Sequence, residues 1–175
     1  GGFADKYSDQ VKSLSFIAPA GFGKAQTSIP FLVKIPGVIE WAMHVLADRF
    51  YGSAISSETT HSNDPLSINE EEFQQLFSFQ MQFKGFRESL ASTMRNFNLF
   101  DAREMFEKVA AKNIPSIAIW GDNDGIVSYK GAETYSEIFQ KGKVITIEGG
   151  THDITYRQPS DVLEAIKIFL DPQIS

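Results

Sequence analysis

Two side chains late in the sequence could do acid–base chemistry together. Asp124 stands in IPSIAIWGDNDGIVS, and His152 stands in KVITIEGGTHDITYRQP. A carboxylate can orient an imidazole and stabilise its protonated form. An imidazole held in this way can take a proton from a nucleophile and later hand it to a leaving group. Each residue alone has an ordinary reading. Asp, Asn and Gly are the preferred turn residues after a strand, and a single His after a strand is more often a hydrogen-bonded structural residue. The DNDG run echoes part of a calcium loop, but the first ligand position would be Trp120 and the terminal glutamate position Gly131, which rules that out. The weight lies on the pair, because the chemistry needs an acid and an imidazole on separate rigid supports.

The surrounding sequence supplies such supports. Ser116 to Trp120 and Val144 to Ile147 are short apolar runs that end in glycine, as buried strands do. A helix is expected between them from about Tyr129 to Phe139, which makes a βαβ unit. In open α/β sheets, chemistry sits where parallel strands deliver their carboxyl ends. An earlier apolar run, Val11 to Ala18, closes at Pro19 and Gly21 and reads as one more strand. It follows FADKYSDQ, the end of a helix and a loop. DVLEAIKIFL closes the chain as an amphipathic helix.

Between these strands the period changes. IPGVIEWAMHVLADRFYG carries one apolar stripe at Val38, Trp41, Ala42 and Val45 and another at Ile39, Met43, Leu46 and Phe50. Such a helix is expected to pack on two sides, with Pro36 in its first turn and Gly52 at its end. After the polar loop SAISSETTHSNDP, Ser67 and Glu70 have capping-box spacing, ahead of a helix through Phe73, Leu76, Phe77 and Met81. Gly85 breaks it. A further stripe follows at Phe86, Leu90, Met94 and Phe97, and FDAREMFEKVAAKN is another amphipathic helix. The expected organisation is an α/β core from residues 1–27 and 107–175, interrupted by a helical cap over 28–106. The aromatic residues Phe31, Trp41, Phe50, Phe73, Phe77, Phe79, Phe83, Phe86 and Phe97 crowd into the cap. Most of them are expected to build its own small core, and a few to face a site where apolar walls suit an acyl chain or an aromatic ring.

Composition narrows the function classes. The chain has 175 residues, 42% hydrophobic and 22% charged, enough for a substantial core. A net charge of −6 and the lack of any basic run argue against a nucleic-acid surface. There is no cysteine, which excludes disulfides, Cys-based zinc sites and thiol nucleophiles. His44 and His61 have no partner at metal-ligand spacing, and no phosphate loop occurs, so neither metal nor cofactor is expected. No apolar run reaches the length of a membrane span. Composition leaves cytosolic and exported locations open, and a cytoplasmic one is the expectation. The opening Gly-Gly, without an initiating Met, points to a tag scar or a truncated chain.

Taken together, IPSIAIWGDNDGIVS and KVITIEGGTHDITYRQPSDVLEAIKIFL resemble the last two strands of the α/β-hydrolase fold. That family runs nucleophile, acid, histidine in chain order. Its acid follows a Gly-x-x-Asp turn, matched here by Gly121 to Asp124. Its histidine follows the final strand and is matched by His152, with Gln158 and Pro159 shortly after. FADKYSDQVKSLSFIAPAGFG is similar to the helix end and strand that follow the nucleophile elbow. The helical stretch sits where the family inserts its lid, and QMQFKGFRESLASTMRNF resembles lids of lipase- and esterase-like members. The resemblance covers essentially the whole chain. It implies a carboxylic-ester hydrolase acting on a small-molecule ester with an apolar acyl group, with Asp124 orienting His152.

One part of the pattern is missing. No Gly-x-Ser-x-Gly elbow occurs, and too few residues separate Gly1 and Gly2 from Tyr7 to read them as its end. The resemblance therefore implies the C-terminal part of a hydrolase, with the nucleophile upstream and little triad chemistry from this chain alone. The strand at 11–18 would lose a neighbour, and an unpaired apolar edge favours association. The expected partner is the missing N-terminal part of its own fold, or a second chain. Two alternatives share the acid–histidine pair. An Asp in the elbow makes epoxide hydrolases and dehalogenases, and carbon–carbon bond hydrolases also use the pair. A binding protein that kept the fold without catalysis is the third reading.

Overall fold

The computed structural model describes residues 1–23, 35, 37–45, 63–96 and 101–171, with the backbone alone at 43 and 44. The chain forms two compact units. One comprises Gly1–Lys24, Ser62–Ser67 and Phe100–Ser175, and the other Ala25–His61 and Ile68–Leu99.

The first unit is a parallel sheet covered by helices. Helix α1 (Gly2–Lys6) and a 3-10 turn (Ser8–Gln10) lead into strand β1 (Leu14–Ile17). Strand β2 (Ser116–Gly121) pairs with β1 on one side and β3 (Lys143–Ile147) on the other, giving the order β1-β2-β3. Leu14 lies opposite Ser116, and Ile117 opposite Lys143. All six residues of β2 are buried, as a central parallel strand requires when both of its faces are covered.

The pleat of β2 sorts its side chains. Ala118 and Trp120 point into a core with Phe22, Phe106, Tyr135 and Phe139. That core is closed by the helix Arg103–Ala110 and the helix Gly131–Ile138. Phe22 and Phe106 stack there with ring centroids 3.9 Å apart. Ile117 and Ile119 point the other way, against Ile147, Ile154, Val162 and Ala165. The last two belong to the terminal helix Pro159–Leu170, which begins with proline at its first turn, where the missing amide is no loss. Each fully buried Ile or Phe stabilises the fold by about 1.5–3 kcal/mol.

The helices of the second unit are α2 (Val38–Val45), α3 (Glu70–Gln80) and α4 (Phe86–Asn96). The first unit then continues with α5 (Arg103–Ala110), α6 (Gly131–Ile138), the short α7 (Ile154–Arg157) and α8 (Pro159–Leu170). Phe22 and Asp101, beside the points where the chain leaves and re-enters the first unit, form an antiparallel bridge.

The second unit corrects three expectations. The capping box lies two residues later than Ser67–Glu70. Asn69 accepts from the Glu72 amide at 2.9 Å, and the Glu72 carboxylate accepts from the Asn69 amide at 3.0 Å. Ser67 instead closes a turn on the carbonyl of Asp64. Helix α2 does not pack on both stripes: Ile39 is buried, while Trp41 and Val45 are exposed. The described core of this unit is aliphatic, Ile39 and Ala91 with Leu90 and Met94, because a small residue at 91 lets α2 and α4 close on a narrow seam. Phe79 and Phe83 are exposed and touch each other edge to face, and Phe73, Phe77 and Phe86 are half-buried. Phe31, Phe50 and Phe97 lie outside the described residues, as do Pro36, Leu46 and Gly52. Gly85 does end a turn between α3 and α4, at φ +86°.

Candidate active site

The loops after β2 and β3 are sewn together by backbone bonds. The Asp122 amide donates to the Ile147 carbonyl at 3.3 Å, and the Asn123 amide to the Gly150 carbonyl at 2.9 Å. The glycines make this approach possible. A Cβ on Gly121 would stand 2.2 Å from the Gly150 oxygen, and one on Gly150 would stand 2.9 Å from Gly121 Cα. The two strand ends touch through backbone, with no room for a side chain between them.

This contact carries Asp124 to His152. Asp124 Oδ2 lies 2.9 Å from His152 Nδ1. The Asp124 side chain is 0% exposed and that of His152 34%. A carboxylate so buried needs donors. Its second oxygen, Oδ1, accepts from the Ile126 amide at 2.9 Å and the Val127 amide at 2.6 Å. The loop is thus wound around the carboxylate, and Trp120 Nε1 pins it from below by donating to the Val127 carbonyl at 2.9 Å. An ionised carboxylate only accepts, so Nδ1 carries the proton in this pair.

The histidine loop has its own supports. Asp153 accepts from the Thr151 hydroxyl on one oxygen and from Arg157 Nε, at 3.0 Å, on the other. Ile154 is fully buried, and Gln158 Nε2 reaches back to the Glu148 carbonyl at 3.2 Å. Farther along, Asp64 accepts from the Ser160 amide and hydroxyl, both at 2.8 Å. It thereby satisfies an amide at the start of α8 that the helix itself leaves unbonded.

The structure therefore brings together the two residues singled out from the sequence. It also shows what the sequence reading missed. Asp124 binding the amide two residues on is an Asx turn, which DGI in a loop could have signalled. The Asp153–Arg157 pair at helical spacing was readable as an i, i+4 ion pair. Nothing local announces Asp64, whose partner lies 96 residues away. Among the described residues, no group of three His, Asp or Glu side chains could hold a metal ion. His61 and the His44 side chain lie outside the description.

No family model matches the sequence. The chain is 26% identical over 186 residues to Lipase 3 of Moraxella sp. strain TA144, covering 97% of this chain and 51% of that protein. It thus spans about half the length of that relative. Among solved structures, bromoperoxidase from Bacillus anthracis superposes with a TM-score of 0.67 at 20% identity, over 97% of this chain and 63% of that one. A thermophilic esterase from Thermogutta terrifontis gives 0.63 at 18% identity, over 97% and 59%. The chain has the α/β-hydrolase fold, in its C-terminal part: parallel strands with flanking helices, interrupted by a helical insertion.

Proposed function

We propose that this chain is the C-terminal part of a carboxylic-ester hydrolase of the Ser-Asp-His type. The observation that carries this is the buried Asp124 carboxylate hydrogen-bonded to Nδ1 of a partly exposed His152 at the carboxyl ends of two adjacent parallel strands. The likeness to Lipase 3 supports the ester class.

In this reading Asp124 fixes the tautomer, so that Nε2 is the nitrogen that exchanges protons with reactants. His152 takes the proton of a serine hydroxyl as that oxygen attacks the ester carbonyl. The proton then passes to the departing alcohol as the C–O bond breaks. Water, activated by the same nitrogen, releases the acid and restores the serine. The serine and the oxyanion donors come from segments outside this chain. The second unit serves as the lid, and its apolar side chains favour an apolar acyl group.

The test is hydrolysis of short p-nitrophenyl esters by the protein carrying both this chain and the elbow, with His152→Ala and Asp124→Asn beside it. Each substitution should lower kcat/KM by about 10²–10⁴-fold, and a fluorophosphonate probe should label a serine. An Asp in the elbow, with turnover of epoxides or alkyl halides instead, would overturn the serine assignment. Undiminished ester hydrolysis in His152→Ala would overturn the whole reading.

A further inference from the structure

His152 is flanked by a bridge that its pairing with Asp124 does not use. The residue before it, Thr151, gives its hydroxyl to Asp153 Oδ1. The residue after it, Asp153, holds Arg157 Nε with Oδ2 at 3.0 Å. The backbone carbonyl of Asp153 meanwhile accepts from the amides of Tyr156 at 2.8 Å and Arg157 at 3.0 Å, which starts helix α7. Asp153 therefore ties the residue before His152 to the helix beyond it. The Asp153 and Arg157 side chains are 21% and 12% exposed, shielded enough for their attraction to exceed that of an open surface pair.

The frame matters because the imidazole must keep one orientation for Nδ1 to meet Asp124. Gly149 stands before the histidine loop at φ +67°, and Gly150 is held by the Asn123 amide, so the frame continues a loop already fixed on its strand side. An imidazole displaced by one ångström loses the alignment that proton transfer requires.

We infer that Asp153 is a positioning residue for His152: bridging Thr151 to Arg157, it fixes the histidine loop so that Nδ1 faces Asp124. This rests on the catalytic reading of the Asp124–His152 pair, and its test can fail separately from that reading.

The experiment is nuclear magnetic resonance of the full-length protein labelled with 15N-histidine, with the His152 signals assigned by their loss in His152→Ala. The wild-type protein should show a low-field Nδ1 proton and the Nδ1–H tautomer. Asp153→Ala should broaden or abolish that proton, and lower kcat on p-nitrophenyl butyrate by about ten- to a hundredfold with KM little changed. Asp153→Asn can accept from Arg157 with its oxygen and donate to the Thr151 hydroxyl with its amide, so it should restore most of the signal and the rate. Thr151→Val is the second probe should Asp153→Ala fail to fold, and should broaden the same proton. A low-field proton unmoved in Asp153→Ala or in Thr151→Val overturns the positioning role and leaves the pair intact. Its absence from the wild-type protein overturns both.

Discussion

The two oxygens of the Asp124 carboxylate have separate duties. Oδ1 collects the Ile126 and Val127 amides and so shapes the loop, while Oδ2 meets the imidazole. Asparagine at this position could keep one set of contacts but not both, since its second terminal atom is a donor. The same economy governs Gly121 and Gly150. Gly121→Ala places a methyl group against the Gly150 carbonyl, where the obstacle is backbone that cannot rotate away. It should destabilise the protein by about 1–3 kcal/mol, read from urea unfolding, and should push the two loops apart. The His152 tautomer should change along with stability. An alanine at 121 that leaves both untouched would mean that the loop contact is unimportant. At this scale the sequence was informative about Asp124 and His152, because strand-ending glycines followed by titratable residues are a local signal. It was silent on why the glycines are needed, because that reason is a contact between two distant loops.

Among the elements, β2 was the most legible. Its unbroken apolar run is what a strand buried on both faces must have, and its bounds differ from expectation by a single glycine. The helices of the second unit were legible as helices but not as a packing arrangement. Their stripes have the helical period, yet period alone does not say which stripe meets which. The box at Asn69–Glu72 was misplaced by two residues because Ser67 and Asn69 both precede acidic residues at the right spacing. Helix α8 depends on a residue outside itself. Burial would raise the Asp64 carboxyl, but the Leu66 and Ser160 amides and the Ser160 hydroxyl outweigh it, and the group sits below its ordinary value of 3.8. A depressed carboxyl contributes stability above the unfolded value and loses it as pH falls through the folded one. Asp64→Ala should therefore lower the melting temperature near neutral pH, and its deficit against the wild-type protein should shrink once pH drops below about 3.8. A deficit constant with pH would remove the charged form of Asp64 from the account. In the second unit the Glu40 carboxyl is likewise held low, chiefly by its bond to Arg95.

For the molecule as a whole, the chain leaves and re-enters the first unit beside the Phe22–Asp101 bridge, so an insertion costs the sheet little. Among the described residues, no helix is long and apolar enough to cross a membrane, and β1 is hydrogen-bonded to β2 alone. The register then dictates timing. Pairing Ile117 with Lys143 closes a short loop, whereas pairing Leu14 with Ser116 closes one about four times longer, at an added entropy cost of about 1.2 kcal/mol. The β2-α6-β3 unit should therefore assemble first. In pulsed hydrogen exchange during refolding, the Asp122 amide, bonded to Ile147, should gain protection before the Leu14 and Ala18 amides, bonded to Pro115 and Ile119. The reverse order would place β1 in the nucleus. On the ribosome the delay is longer still. At roughly 5–20 residues per second, β1 is synthesised on the order of 5–20 s before β2, so the edge that β2 will cover stays open to wrong association during that interval.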